Sequence, residues 1–464
     1  MFYSFVYQNI AFPLHEIIRG RKTHLYLRRL EESQWKPLWE IQSRQWRALQ
    51  SLLHYSYQRV PFYRQLFDSL AITPDRIRCP EDFQQLPILT KEIIRENRSR
   101  LVSPHYRGKN IVKSTSGSTG APFEFEHSID SWCWRTAAAM RGYSWAGAFE
   151  GVRHVYFWRP PLKPLGRVAE AKQTLHRFFQ RQKFIDCFDL TREGFARCIE
   201  EINRFRPVSI IGFAMPLYAL SKFILDTGAA VHRPASIISA AERLYPQQRE
   251  TIERALGAPV FNTYGSREFM LIAAECERHE GLHLSAENLY VEVIKDGRPA
   301  GPGEVGDIVI TDLHNYGMPF IRYPVGDLAL ATAHQCSCGR GLPLIADVVG
   351  RTLELIATPQ GRLLPGQFFT GMMMHLSDIK EFQVIQESLH ELVIKLVPGN
   401  GSISEWTLKK IRNQVEQAFG QQVRLDLQIV SDIPRSKAGK FLITQSKVTA
   451  ALSLSAFAEQ RKER

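Results

Sequence analysis

From residue 130 to residue 240 short apolar runs alternate with amphipathic stretches, and this alternation limits the possible folds more than any other feature of the chain. Asp130 to Tyr143 reads as a helix, although Trp132 and Trp134 are bulky for it, and Val152 to Trp158 reads as a buried strand. Thr191 to Phe205 carries helix signals and stops before Pro207; Val208 to Phe213 is a strand, Pro216 to Thr227 a helix, and Ser236 to Ala240 opens the next strand. Such an order predicts α/β layers around a mainly parallel sheet. After residue 285 the texture changes. Leu289 to Ile294, Gly306 to Thr311 and Leu328 to Thr332 read as strands joined by Gly/Pro turns, as in a small barrel or a curled sheet. Glu381 to Ile385, Glu391 to Leu396, a helix at Ser404 to Phe419 and Arg424 to Val430 then make a compact α+β unit reached through Val349-Gly350-Arg351. Upstream, residues 26–70 have helical periodicity and include the turn-like Val60-Pro61-Phe62-Tyr63. The expected fold is therefore α/β, with a large domain over 1–350, made of layered subdomains plus a small barrel, and a small α+β domain over 351–464.

A chain of 464 residues, 44% hydrophobic and 23% charged, can bury cores for more than one domain. No apolar run approaches the roughly 18–20 residues of a spanning helix. Met1 to Ile18 is aromatic and ends at the basic Arg19-Gly20-Arg21-Lys22, the reverse of a secretory signal's order. It suits either a first helix packed on the domain or a segment lying on an anionic membrane surface. The net charge of +12 is uneven: residues 1–200 hold 31 Lys and Arg against 19 Asp and Glu. Lys163, Arg167, Lys172, Arg177, Arg181 and Lys183 are part of that excess. Such a field attracts acidic partners, but a solvated basic face explains it as well, and no aromatic stacking sites at regular spacing mark a nucleic-acid reader. Seven cysteines in so long a chain do not form a disulfide framework, and without a signal the expected place is the cytoplasm.

Two clusters carry chemistry. Ser114-Thr115-Ser116-Gly117-Ser118-Thr119-Gly120-Ala121-Pro122 is too small and hydroxyl-rich to build core, and apolar residues flank it on both sides. Its amides and hydroxyls can wrap a polyanion. It is not the usual P-loop, because Ala121 stands where that pattern has Lys. The second cluster is Cys336-Ser337-Cys338 with Cys276 upstream, which makes a tetrahedral zinc set if His279 or His283 adds an imidazole.

Four more motifs follow in order: Asn262-Thr263-Tyr264-Gly265-Ser266-Arg267-Glu268, Arg322-Tyr323-Pro324-Val325-Gly326-Asp327, Val349-Gly350-Arg351-Thr352-Leu353-Glu354 and Ile433-Pro434-Arg435-Ser436-Lys437-Ala438-Gly439-Lys440. Each alone reads as a turn. Together with the Ser/Thr/Gly loop they resemble the adenylate-forming superfamily of acyl-CoA synthetases, nearest its phenylacetate–CoA ligase-like branch with the CapK-type capsular-polysaccharide proteins. The resemblance runs from about residue 40 to 450 and takes in Ser239-Ala240-Ala241-Glu242 near the adenine pocket.

The resemblance implies that a carboxylate attacks the α-phosphorus of ATP to give an acyl-AMP and pyrophosphate. Ser116, Gly117, Ser118, Thr119 and Gly120 would hold the β/γ-phosphates; Ala241, Glu242, Tyr264 and Gly265 would border the adenine. Asp327 would take the ribose hydroxyls, with Arg351 beside it. Glu268 would bind Mg2+, and Lys440, on a mobile second domain hinged at Glu354, would neutralise the two meeting anions. Relatives usually carry Asp at the hinge, and many carry Lys at position 121. Cys276, His283, Cys336 and Cys338 match a structural zinc set, which favours His283 over His279. The acyl pocket would lie around Ile210 to Phe213 and Ser239 to Ala241, and the acceptor would be CoA or a saccharide. An inactive ATP-binding scaffold and a basic zinc protein binding nucleic acid use fewer of these features; intact Glu268, Asp327 and Lys440 speak against the first.

Overall fold

The computed structural model describes residues 2–115, 123–158, 166–187, 191–351, 356–359, 363–364, 366–373, 376, 378–399, 401–420, 423–434 and 443–448. The first strands, β1 (Ile111–Thr115) and β2 (Phe123–His127), form an antiparallel hairpin that pairs Thr115 with Phe123. Most of the Ser/Thr/Gly run, residues 116–122, connects the two strands and lies outside the described set.

One twelve-stranded sheet organises the large part of the chain. Its parallel half contains β3 (His154–Trp158), β4 (Gln182–Asp186), β5 (Ser209–Phe213), β6 (Ser236–Ala240) and β7 (Val260–Ser266), in the order β7-β6-β5-β3-β4. Every residue of β5 and β6 is buried, as expected for parallel strands covered on both faces. The helices Arg192–Phe205, Ala214–Thr227 and Pro246–Leu256 cover one face, with Ile202, Leu217 and Ile252 packing on Val155, Ile210, Ile237 and Val260, and Tyr143, Ala146 and Ala148 pack on Ile211, Ile238 and Phe261 of the other. Each such side chain is worth roughly 1.5–3 kcal/mol when fully buried. Thr191 starts the first of these helices by accepting the Gly194 N–H.

At β7 the direction changes. β8 (Met270–Glu275), β9 (Leu282–Leu284), β10 (Leu289–Lys295), β11 (Arg298–Pro299), β12 (Val305–Asp312), β13 (Tyr323–Ala331) and β14 (Leu344–Arg351) continue the sheet antiparallel, in the order β11-β10-β12-β13-β14-β9-β8-β7. The strands expected as a small barrel after residue 285 are thus the antiparallel half of this sheet. Helices Leu38–Arg59, Pro61–Ser69 and Lys91–Leu101 close its core through Leu52, Phe67 and Ile94. The turn expected at Val60-Pro61-Phe62-Tyr63 is instead the start of the second helix: Val60 is extended and Pro61 takes the first helical position, where its missing N–H costs nothing.

Toward the C-terminus, β15 (Ile356–Ala357) pairs with β16 (Leu363–Leu364), and β17 (Ile379–Ser388), β18 (Glu391–Pro398), β19 (Arg424–Ile429) and β20 (Thr444–Ser446) form a four-stranded sheet in the order β19-β18-β17-β20. The helix Glu405–Phe419, capped by Ser404, buries Ile411, Val415 and Phe419 against Ile394 and Leu396.

The chain begins as a helical segment over 2–18 that contains a π turn at Tyr7–Ala11. Its inner side is partly polar: Gln8 Nε2 donates to the Glu150 carbonyl (2.9 Å), and Glu16 is buried. The Glu150 residue is half-buried, but its Oε2 is sealed without a hydrogen-bond partner, and burial, with Glu16 nearby, pushes its carboxyl up to about 7. The folded protein then keeps a proton that the unfolded chain releases above about 4.5. The associated stability is complete below that pH and is lost as pH rises toward 7. We expect Glu150→Gln to raise the melting temperature at pH 8 by the equivalent of about 2 kcal/mol and to have little effect at pH 4.5. An equal shift at both pH values would refute the assignment. No helix among the described residues is long and apolar enough to cross a membrane.

Candidate active site and metal cluster

The C-terminal ends of β5 and β6 lie side by side, with Phe213 opposite Ala240, and β7 runs on past them, with Asn262 opposite Ser239. Ligands of open parallel sheets bind at this edge. The Thr263 hydroxyl donates to the Ser239 carbonyl at 2.7 Å and locks β7 to β6. Ala241 leaves β6 in the left-handed region (φ 65°). This turn brings Glu242 back over the start of the preceding helix, Ala214–Thr227, where its Oε2 accepts the Met215 N–H at 3.0 Å, a favourable place for a carboxylate. Ile210 to Phe213 and Ser239 to Ala241, the expected acyl pocket lining, occupy the same two strand ends.

Tyr264 and Asp327 are 63 residues apart, yet the Tyr264 hydroxyl donates to Asp327 Oδ2 at 2.8 Å. The antiparallel continuation of the sheet brings them together. Asp327 also stands opposite Arg351 in the β13–β14 register, so two expected ribose contacts are strand partners. Gly265 is required by space: a Cβ there would meet the Met270 carbonyl oxygen at 2.1 Å.

Glu268 occupies the β7–β8 turn and is 6% exposed. Tyr323 donates its hydroxyl to Glu268 Oε1 at 3.1 Å and stacks on Phe123, ring centroids 6.1 Å apart. Phe123 is the first residue of β2, so this pair of contacts links Glu268 to the hairpin that carries the Ser/Thr/Gly loop.

Behind the turn lies a network that the sequence does not reveal. Arg135, fully buried on the helix Ile129–Ser144, donates to the Glu268 carbonyl (2.6 Å), His127 Nε2 (2.6 Å) and Asp312 Oδ2 (2.5 Å). Burial and the Arg135 charge lower the His127 pKa to about 2, so the imidazole is neutral and its Nε2 accepts. A lone arginine on a helix ordinarily reads as a solvated face, and of this group only Tyr323 and Glu268 lie in recognisable motifs. Ser116 to Gly120, Glu354 and Lys440 lie outside the described residues, as does the side chain of Arg351.

A second cluster gathers Cys276 after β8, His283 in β9, and Cys336 and Cys338 before β14, with all four ligand atoms within 4.8 Å of one another. Cys276 Sγ lies 3.5 Å from Cys336 Sγ, and Cys338 Sγ lies 3.4 Å from His283 Nε2. Zn–S bonds of about 2.3 Å give tetrahedral edges of about 3.8 Å, so the donor set fits that ion. The amides of Arg278 and Arg340 each donate to the sulfur two residues earlier. Desolvation raises the Cys276 and Cys336 thiols, whereas amide and side-chain hydrogen bonds lower Cys338 below its usual value despite burial. His279 points elsewhere, with its Nδ1 at 3.0 Å from Glu275 Oε2. All seven cysteines are free thiols.

Comparison with known proteins agrees with this framework. A family model for the CapK C-terminal domain matches residues 356–447. Protein CapK of Staphylococcus aureus is 22% identical over 424 residues, covering 90% of this chain and 91% of its own. The phenylacetate-coenzyme A ligase of Thermus thermophilus is 24% identical over 409 residues, covering 85% and 87%. In fold, the chain is similar to 2-hydroxyisobutyryl-CoA ligase in its postadenylation state (TM-score 0.70, 20% identity, 92% and 94% covered). The sheet of the described residues thus has the fold of this CoA ligase. In sequence the chain is similar over most of its length to the phenylacetate–CoA ligases and to CapK, and its C-terminal part matches the CapK C-terminal model.

Proposed function

We propose that the protein is an AMP-forming acid–thiol ligase, which activates a carboxylic acid with ATP and passes the acyl group to CoA. The observation that carries this reading is the Tyr264–Asp327 hydrogen bond, with Arg351 opposite Asp327 and Glu268 tied to the loop-bearing hairpin. These residues suit one nucleotide lying across the strand ends: adenine bordered by Ala241, Glu242, Tyr264 and Gly265, ribose on Asp327 and Arg351, and outer phosphates in Ser116 to Gly120. Glu268 would hold Mg2+, whose charge offsets that developing on the phosphoryl oxygens. The acid's carboxylate oxygen bonds to the α-phosphorus as the bond to the pyrophosphate oxygen breaks. Lys440 neutralises the two anions in that step. The acceptor sulfur then attacks the acyl carbonyl and AMP leaves.

In this reading residues 1–350 are one domain and 351–464 a second, mobile one that brings Lys440 in by turning about Glu354. Cys276, His283, Cys336 and Cys338 hold a structural Zn2+ with no open ligand position. A saccharide amine or hydroxyl is the alternative acceptor, supported by the likeness to CapK. The working place is beside a membrane, reached through the N-terminal segment.

Pyrophosphate release with ATP and Mg2+ over a panel of carboxylic acids tests the reading. One or a few acids should stimulate release, and Lys440→Ala should cut it by about 10²–10³-fold, the cost of removing a main charge-stabilising group. Absence of release with every acid would favour an ATP-binding scaffold. Release untouched by Lys440→Ala would remove only that residue's role.

A further inference from the structure

The N-terminal helical segment is amphipathic with its apolar side outward. Of its eight exposed positions between 2 and 18 only Asn9 is polar, while Phe2, Phe5, Ile10, Leu14, Ile17 and Ile18 are 54–82% exposed. The inner side buries Tyr7 and Phe12 but is otherwise polar, with Gln8 bonded to the Glu150 carbonyl and Glu16 buried. A helix that only rests on its own domain keeps its outer side polar. Spacing supports a single outer stripe. Phe2 and Phe5 share one side, and Ile10, Leu14, Ile17 and Ile18 share another by ordinary α periodicity. The five-residue step between the two sets would separate them on a regular α-helix, but the π turn at Tyr7–Ala11 takes up the extra residue.

The helix Arg167–Gln180 widens this face. It meets the segment through the Tyr3–Phe179 hydrogen bond and the stacked rings of His15 and His176, 5.3 Å apart. It leaves Leu175, Phe178 and Phe179 51–74% exposed. The nine side chains expose on the order of 1,000 Å², against roughly 300–600 Å² for the largest apolar patch of an ordinary soluble monomer. Cations border them. Arg19, Arg21 and Lys22 follow the segment directly, and Arg19 and Arg21 add to burial and His15 in lowering His176. Lys172 and Arg177 lie on the second helix, and the Arg181 guanidinium sits 3.8 Å from the Tyr3 ring centroid. The only exposed acid on the two helices is Glu170.

We propose that this face lies on an anionic lipid bilayer, with the apolar stripe at the headgroup–acyl boundary and the Arg and Lys side chains on anionic headgroups. A symmetric pairing of two copies through the face would bring the same cations together, whereas an anionic surface neutralises them. The inference rests on the membrane placement proposed above and names its surface; it does not depend on the ligase chemistry.

Co-sedimentation of the full-length protein with vesicles, without ATP, tests it. Vesicles of phosphatidylcholine with about one third phosphatidylglycerol should bind the protein, and pure phosphatidylcholine much less, with binding weakened by high salt. The double variant Ile17→Ser, Phe178→Ser should lower the partition at least about tenfold, each lost buried CH2 being worth about 0.8 kcal/mol. Both residues are exposed, so acid-dependent pyrophosphate release should be unchanged. Equal binding of variant and parent, or no binding to the anionic vesicles, would overturn the proposal. A dimer that the double variant dissociates, without vesicle binding, would overturn it in favour of a second copy.

Discussion

Glu268→Gln should lower acid-dependent pyrophosphate release by about 10²–10³-fold, the usual cost of losing a group that offsets transition-state charge. The geometry makes this substitution informative. Glutamine can still accept the Tyr323 hydroxyl at Oε1, and the Arg135 contact is to the backbone carbonyl, which the change does not touch. Shape and anchoring persist while the negative charge is lost. The fold should therefore survive, and the rate at saturating ATP should need more Mg2+ to approach its lower plateau. Tyr323→Phe removes one hydrogen bond to the same carboxylate and should cost about tenfold, in line with a bond to a charged group. Full activity of Glu268→Gln at ordinary Mg2+ would exclude Glu268 as the metal-holding carboxylate. A rate loss accompanied by unfolding would point to the buried network of Arg135, His127 and Asp312 instead.

The second large effect concerns the cysteine cluster. Purified protein should contain about one zinc per chain, and Cys336→Ser should lose the metal and more than about 4 kcal/mol of stability, the range in which loss of a metal site stands out from ordinary mutations. Without the metal, the cluster leaves thiols and an imidazole crowded within 4.8 Å in the interior. The ligands come from the end of β8, from β9 and from the connection between β13 and β14, so their loss loosens the strands that carry Asp327 and Arg351 as well. His279→Ala should keep the metal, because His279 bonds Glu275. Metal-free preparations with an unchanged melting temperature in Cys336→Ser would refute the site.

Much of the fold is legible in the sequence where burial is two-sided. β5 and β6 are continuous apolar runs, and their expected spans, Val208 to Phe213 and Ser236 to Ala240, differ from the structure by at most one residue. β13 is not legible in this way. It starts at Tyr323, ahead of the expected Leu328, because Pro324 and the left-handed Gly326 (φ 85°) read as a turn although the strand runs through them. Tyr264 and Asp327 can each be named from a motif, but the bond between them depends on strand order across 63 residues, which local patterns do not carry. Arg135 is hidden for a different reason. A buried guanidinium is stable only with its partners in place, and those partners come from β2, β12 and the β7–β8 turn.

The π turn in the N-terminal segment has a consequence for which length changes that segment tolerates. Five residues separate Phe5 from Ile10, and the turn spends the surplus one. Deleting a single residue between Tyr7 and Ala11 would leave a plain α-helix with a four-residue step, and both halves of the stripe would remain aligned. Inserting one would swing Phe2 and Phe5 by about 100° from the others, so residue count matters there as much as residue type.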